Sequence, residues 1–213
     1  MSGNPTNDGY FLDTCVYVNY GVPDNTYHKE AVGFFCKNCY KHTSDSVIAE
    51  IDDFKVFMSR FGRDLDKALG SRDRTLVFKN PWLVFRDYND NQRTFIENFL
   101  NVVVGRPPLQ ISEEYRFLKG LVLERINEAL SKTNKPFIPL SNDAELLKRI
   151  AYVQDTDDMQ IIADAALWAS QFSFRHFCTS DREHVLDNKN NLELDITKYY
   201  GHNCLVFVHL ENA

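Results

Sequence analysis

The sequence lacks the features that mark membrane-spanning and secreted proteins. No apolar run approaches the roughly 20 residues needed to cross a bilayer, and the first nine residues, MSGNPTNDG, contain neither a basic start nor an apolar segment. The five cysteines are an odd number, so a disulfide framework is not expected and we interpret them as reduced thiols. We therefore expect a cytoplasmic protein with no membrane contact.

Signatures of several common enzyme classes are also missing. The chain has no Gly-rich phosphate loop and no Gly-x-Ser-x-Gly nucleophile elbow. Cys36 and Cys39 have the spacing of a zinc-binding pair, and His42 follows three residues later, but no second pair accompanies them. We therefore interpret Cys39 as a packing residue of an apolar helical stripe rather than as a zinc ligand.

Charge is unevenly distributed along the chain. The net charge of −6 argues against a protein that coats nucleic acid with its whole surface. Residues 55–93, however, contain nine Lys or Arg against five Asp or Glu, a local charge of +4 that leaves −10 for the remainder. Such a basic stretch either binds a polyanion or is an ordinary solvated face, and composition alone does not separate these alternatives.

The apolar pattern predicts strands that alternate with helices. Runs at residues 10–12, 176–178 and 204–208 have the composition of buried strands. Apolar stripes predict helices at residues 28–39, from 44 or 46 to 61, at 92–104, at 112–132, from 141 and at 158–172. The last of these helices carries a buried stripe of Ile161, Ala165, Trp168 and Phe172. This alternation indicates an α/β domain with a mostly parallel sheet.

Four acidic residues fall where functional side chains gather in α/β folds. Asp13 follows the first predicted strand, and Asp181 follows the strand at residues 176–178. Asp158 lies at a helix start, near free backbone N–H groups, and Glu50 lies about 60° from the buried stripe of its helix. Asp13 could instead cap a turn, and Glu50 could face water. If the four converge, Mg²⁺ or Mn²⁺ would relieve their mutual repulsion.

Four short motifs carry a family resemblance: FLDT at residues 11–14, SVIAE at 46–50, DMQIIA at 158–163 and TSDR at 179–182. In their order and spacing the chain resembles the PIN-domain ribonucleases, over roughly residues 8–56 and 150–210. The resemblance implies a three-layer α/β/α domain that binds Mg²⁺ or Mn²⁺ and acts as an endoribonuclease on RNA. It also implies that Asp13, Glu50, Asp158 and Asp181 are the metal-binding and catalytic residues, with Thr179 as a supporting hydroxyl.

The chain departs from compact members of this family in its middle. We expect one PIN-like domain over residues 1–213 with a largely helical insertion at residues 62–150. The insertion is interpreted as a helical cap, a dimerisation lobe or an RNA-guiding surface, and the local positive charge favours the last, with Arg72 and Arg74 as RNA contacts. An inhibitory protein partner or a homo-oligomer also fits such a lobe. Asp157 and Asp164 remain alternative metal ligands beside Asp158.

Two further functions are kept as alternatives. Haloacid-dehalogenase-like phosphatases also place an Asp after the first strand, but they require another Asp two residues later, where this chain has Cys15. A catalytically silent PIN-like module that serves as a binding scaffold would have a partly filled pocket. The presence of all four acids argues against the scaffold, and Cys15 in place of a second Asp argues against the phosphatase.

Overall fold

The computed structural model describes residues 9–71, 74–172, 175–202 and 204–213. It shows an α/β protein with four strands and a larger set of helices in the described chain. The strands are β1 (Gly9–Leu12), β2 (Tyr40–His42), β3 (His176–Thr179) and β4 (Val206–His209). The helices are α1 (Thr14–Gly21), α2 (His28–Phe35), α3 (Asp45–Leu69), α4 (Leu76–Lys79), α5 (Pro81–Val84), α6 (Asp90–Val103), α7 (Pro108–Ser131), α8 (Ala144–Arg149), α9 (Thr156–Gln171) and α10 (Lys189–Tyr200).

The four strands form one parallel sheet in the order β2-β1-β3-β4. In the central register Phe11 pairs with Phe177, and Phe177 pairs with Phe207. The connection from β1 to β2 and the connection from β3 to β4 run in opposite directions across the sheet. Because crossover connections are right-handed, α1 and α2 are expected on one face and α10 on the other, which is the arrangement of a three-layer α/β/α fold.

Aromatic side chains fill the core against the sheet. Phe11 stacks on Phe177 with ring centroids 5.8 Å apart, and Trp168 of α9 lies 5.9 Å from Phe11. All three are fully buried, and burial of each such side chain stabilises the fold by about 2–3 kcal/mol. Trp168 thus confirms the predicted buried stripe. Phe172 does not belong to it, because α9 ends at Gln171 and Phe172 is 50% exposed.

The contacts divide the chain into two compact units. The first unit comprises the residues up to Asp52 together with Glu124–Ala213, and it holds the sheet; the second is Asp53–Leu123. The second unit has its own aromatic core, in which the Tyr115 ring lies 4.9 Å from the Phe61 ring and the Tyr115 hydroxyl donates to the Met58 carbonyl. The unit overlaps the insertion expected at residues 62–150 but has different bounds.

Some local expectations are corrected by the structure. The helix expected at residues 28–39 ends at Phe35, so Cys39 lies outside it, and Val32 is 37% exposed rather than part of a buried stripe. The helix expected from Ser112 begins earlier, at Pro108. In the described part of the chain, no helix combines the length and apolar character needed to cross a membrane.

Candidate metal centre

Asp13 lies at the carboxyl end of β1 and begins α1 as its N-cap. Its backbone N–H donates to the Cys178 carbonyl at 3.1 Å, which continues the pairing of β1 with β3 by one residue. One carboxylate oxygen, Oδ1, accepts from the Thr14 backbone N–H at 2.6 Å, at the first residue of α1. The residue is 4% exposed. Asp13 therefore caps the turn after β1 and also lies at the carboxyl end of the strand, so the two alternatives considered from the sequence are both met.

Thr179 connects Asp13 to the end of the neighbouring strand. Its hydroxyl donates to Asp13 Oδ2 at 2.6 Å and accepts from the Asp181 backbone N–H at 2.9 Å. The Cys15 thiol makes a second connection between the same two segments. Its Sγ donates to Asp13 Oδ2 at 3.1 Å and accepts from the Ser180 backbone N–H at 3.1 Å. The loop that carries Asp181 is thus fixed against the residues that follow β1.

Asp158 lies in the first turn of α9. The turn is capped by Asp155, whose Oδ1 accepts from the backbone N–H groups of Asp157 at 2.8 Å and Asp158 at 3.3 Å. The Asp158 side chain is 19% exposed, whereas Asp157 is on the exposed side of the helix. The helix start therefore directs Asp158, and not Asp157, toward the interior of the site.

The carboxylates of the cluster interact strongly with one another. The pKa of Asp158 is raised to about 8, mainly by burial and then by the charges of Asp13, Asp155, Asp181 and Glu50, in that order of importance. Burial is also the main reason that the pKa of Glu50 rises to about 7, with added repulsion from Asp13. The pKa of Asp13 is raised by its burial too, although hydrogen bonds from its neighbours oppose the rise. The structure thus brings all four predicted acids into one electrostatic cluster.

His184 is part of this site and was not predicted from the sequence. Its Nδ1 lies 3.3 Å from Asp181 Oδ2 and 3.8 Å from Asp158 Oδ2. Within the described residues these three side chains form the group whose ligand atoms all lie within 4.8 Å of one another. The signal in the sequence was a histidine three residues after Asp181, which is too common a spacing to single out.

Asp164, an alternative ligand in the sequence prediction, has a structural environment of its own. It is fully buried, its Oδ2 accepts from the Ser46 hydroxyl at 2.6 Å, and its Oδ1 accepts from the Ser141 backbone N–H at 2.6 Å and from Gln160 at 2.9 Å. It also lies six residues after Asp158, about 9 Å along the helix axis. Through these hydrogen bonds, Asp164 links α9 to α3 and to the segment before α8.

Arg74, one of the two basic residues singled out in the sequence, belongs to the second unit. Arg74 is exposed, whereas Arg72 lies outside the described residues. Cys36 is also exposed and Cys39 half-buried, and neither joins a group of three metal-ligating side chains in the part of the chain that the structure describes.

The donor set of the cluster fits a divalent cation. Carboxylate oxygens are the ligands that Mg²⁺ and Mn²⁺ prefer, and a bound cation would lower the raised pKa values of Asp158 and Glu50. In the described structure, His184 is the basic side chain that lies within ion-pairing distance of these acids. Burial and mutual repulsion disfavour the ionised forms of Asp158 and Glu50, and a bound cation would offset both effects.

The chain was also compared with known proteins. No family model, no curated protein and no solved structure matches it. The geometry of the site therefore carries the functional argument.

Proposed function

We propose that the chain is a PIN-like, metal-dependent endoribonuclease that hydrolyses RNA phosphodiesters. The observation that carries the proposal is that Asp158 lies with Asp181 in a group of potential metal ligands, and that burial and then the neighbouring charges, including those of Asp13, Asp181 and Glu50, raise its pKa to about 8. The acids come from the end of β1, from α3, from the start of α9 and from the loop after β3. This order along a parallel α/β sheet supports the PIN-like fold as part of the same proposal.

The acids of the cluster have two roles in this proposal. Asp158 and Asp181 would hold Mg²⁺ or Mn²⁺, and Asp13 and Glu50 would complete the negative surroundings of the ion. The ion would supply an activated water and offset the charge that develops on the phosphate. Thr179 holds Asp13 Oδ2 in place through its 2.6 Å hydrogen bond.

The phosphatase alternative is less well supported by the geometry. A nucleophilic aspartate needs a free oxygen that faces the substrate. Asp13 is 4% exposed, and its two oxygens accept from Thr14 on one side and from Thr179 on the other. Cys15, at the position where such phosphatases have a second Asp, holds the loop after β3 through Ser180.

Cleavage of an end-labelled, unstructured RNA by the purified protein tests the proposal. We expect cleavage with Mn²⁺ or Mg²⁺ that a chelator abolishes. Asp158→Asn should reduce the cleavage rate by about 100-fold or more, because even loss of groups that support a metal ligand costs 10–100-fold. Asp187→Asn is the matched control, since Asp187 is an exposed acid in the segment after Asp181 and should leave the rate unchanged.

Three outcomes would contradict the proposal. Full metal-dependent cleavage by Asp158→Asn would show that another site does the chemistry. Hydrolysis of small phosphoesters through a trapped aspartyl-phosphate would instead support the phosphatase alternative. A wild-type protein whose thermal stability does not change with Mn²⁺ would support the scaffold alternative, because an ion that binds only the folded state must stabilise it.

A further inference from the structure

The imidazole of His184 faces two carboxylates of the proposed metal site. Its Nδ1 is 3.3 Å from Asp181 Oδ2 and 3.8 Å from Asp158 Oδ2. The ligand atoms of the three residues lie within 4.8 Å of one another, close enough for one ion to contact all of them. The structure thus offers a nitrogen donor at a site that the sequence predicted to be made of oxygen donors alone.

The position of His184 is fixed by its backbone. Its N–H donates to Asp181 Oδ1 at 3.0 Å, and its carbonyl accepts from the Asn188 side chain at 2.8 Å. The next residue, Val185, is buried, and the Leu186 N–H donates to the Asp181 carbonyl at 3.1 Å. The turn after β3 therefore holds the ring beside the carboxylates, although the side chain itself is 47% exposed.

A nitrogen donor changes which cation such a site prefers. Mg²⁺ takes oxygen ligands and keeps several waters, whereas imidazole favours first-row transition metals. We propose that His184 is a direct nitrogen ligand, together with Asp158 and Asp181, of a later first-row transition-metal ion such as Co²⁺. The inference rests on the proposed metal-dependent function and adds to it the class of metal.

Replacement of His184 by alanine distinguishes a metal ligand from a positive counter-charge. If His184 is a ligand, His184→Ala removes a metal bond and weakens binding of the ion. If His184 is only an imidazolium that balances Asp158 and Asp181, the same change removes a competing positive charge and strengthens binding. The two roles therefore predict changes of opposite sign.

Calorimetric titration of the full chain with Co²⁺ and with Mg²⁺ measures this difference. We expect His184→Ala to weaken Co²⁺ binding by about tenfold or more, since loss of a supporting group alone costs 10–100-fold. The affinity for Mg²⁺ should change much less. His202→Ala is the matched control, because His202 is an exposed histidine whose ring contacts the Tyr200 carbonyl. Cys36→Ser controls for capture of Co²⁺ by an exposed thiol.

The visible absorption of bound Co²⁺ gives a second readout that does not depend on activity. We expect the spectrum of the wild-type complex to change in His184→Ala and to persist in His202→Ala. Binding of both ions with unchanged or increased affinity in His184→Ala would overturn the inference and leave the proposed function standing. A wild-type protein that binds no divalent ion would overturn both.

Discussion

Replacement of Asp158 by Asn should stabilise the protein in the absence of metal. Asp158 is 19% exposed, and its carboxylate lies among other acids of the cluster. Burial and the neighbouring charges disfavour its ionised form and raise its pKa from 3.8 to about 8. Asn has nearly the same shape and no charge, so the substitution removes the cost of ionisation and keeps the packing.

The sign of the pH dependence follows from this raised pKa. Between about pH 4 and pH 8 the unfolded chain has released the Asp158 proton, whereas the folded protein retains it. The folded state therefore loses stability as the pH rises through this window, and the full cost is present above pH 8. At about 1.4 kcal/mol per pKa unit the rise would correspond to roughly 6 kcal/mol. Solvent screening reduces this upper limit, and we expect a gain of about 2 kcal/mol for Asp158→Asn.

Urea denaturation in the presence of a chelator, at pH 5 and pH 8.5, measures the free energy of unfolding. The gain from Asp158→Asn should be about 2 kcal/mol at pH 8.5 and less than about 1 kcal/mol at pH 5. Asp187→Asn is the control, because Asp187 is an exposed acid whose charge is not among those that raise the pKa of Asp158 or Glu50, and it should change stability by less than about 0.5 kcal/mol. A loss of stability in Asp158→Asn at pH 8.5, or a larger gain in Asp187→Asn, would refute the reasoning.

Three further outcomes are expected. Thr179→Val should lower the free energy of unfolding by about 1–3 kcal/mol in urea denaturation, because it leaves buried Asp13 Oδ2 without its 2.6 Å hydrogen bond. Gly62→Ala should lower the free energy of unfolding by about 1–3 kcal/mol in the same assay, since the added Cβ would lie 2.8 Å from a Tyr115 ring carbon. Gly120 lies in α7 with open space where a Cβ would be, so Gly120→Ala should instead raise the free energy of unfolding by about 0.5–1 kcal/mol. If the basic stretch at residues 55–93 binds RNA, Arg74→Ala should weaken RNA binding and reduce its dependence on salt concentration by about one counterion; an unchanged affinity would assign Arg74 to a solvated face.

Strong apolar patterns were sufficient to locate the long elements. The strands β1 and β3 and the helix α6 lie where the sequence predicts them, and α3 begins where it is predicted but continues past residue 61 to Leu69. In these segments the apolar period and the end signals agree, as in α6, where Asn89 and Gln92 form a capping box. The strand expected at residues 204–208 is also present, as Val206–His209.

Elements with weak periodicity could not be assigned in this way. The helix α1 contains Val16, Tyr17 and Val18, which favour strands, and the strand β2 has only three residues, Tyr40–His42. The helix α10 begins with Lys189 and two Asn residues. Its buried face consists of only two residues, Leu192 and Ile196, which is too short a stripe to predict a helix. These segments take their structure from packing and pairing with distant parts of the chain.

Local sequence patterns were sufficient to select the four acids of the cluster. It placed Asp13 and Asp181 after strands, Glu50 beside a buried stripe and Asp158 at a helix start, and all four lie in the cluster. Local patterns suffice for this, because the carboxyl ends of parallel strands lie at one edge of a sheet.

Which neighbouring groups lie beside these acids depends on the path of the folded chain. It buried Asp164 in hydrogen bonds with Ser46 and Ser141, turned Asp157 to the surface and brought His184 to 3.3 Å from Asp181. These placements depend on contacts between residues far apart in the sequence and on the path of one turn. Residue type and spacing do not encode such distances, so the choice among adjacent acids and the presence of a histidine follow from the fold.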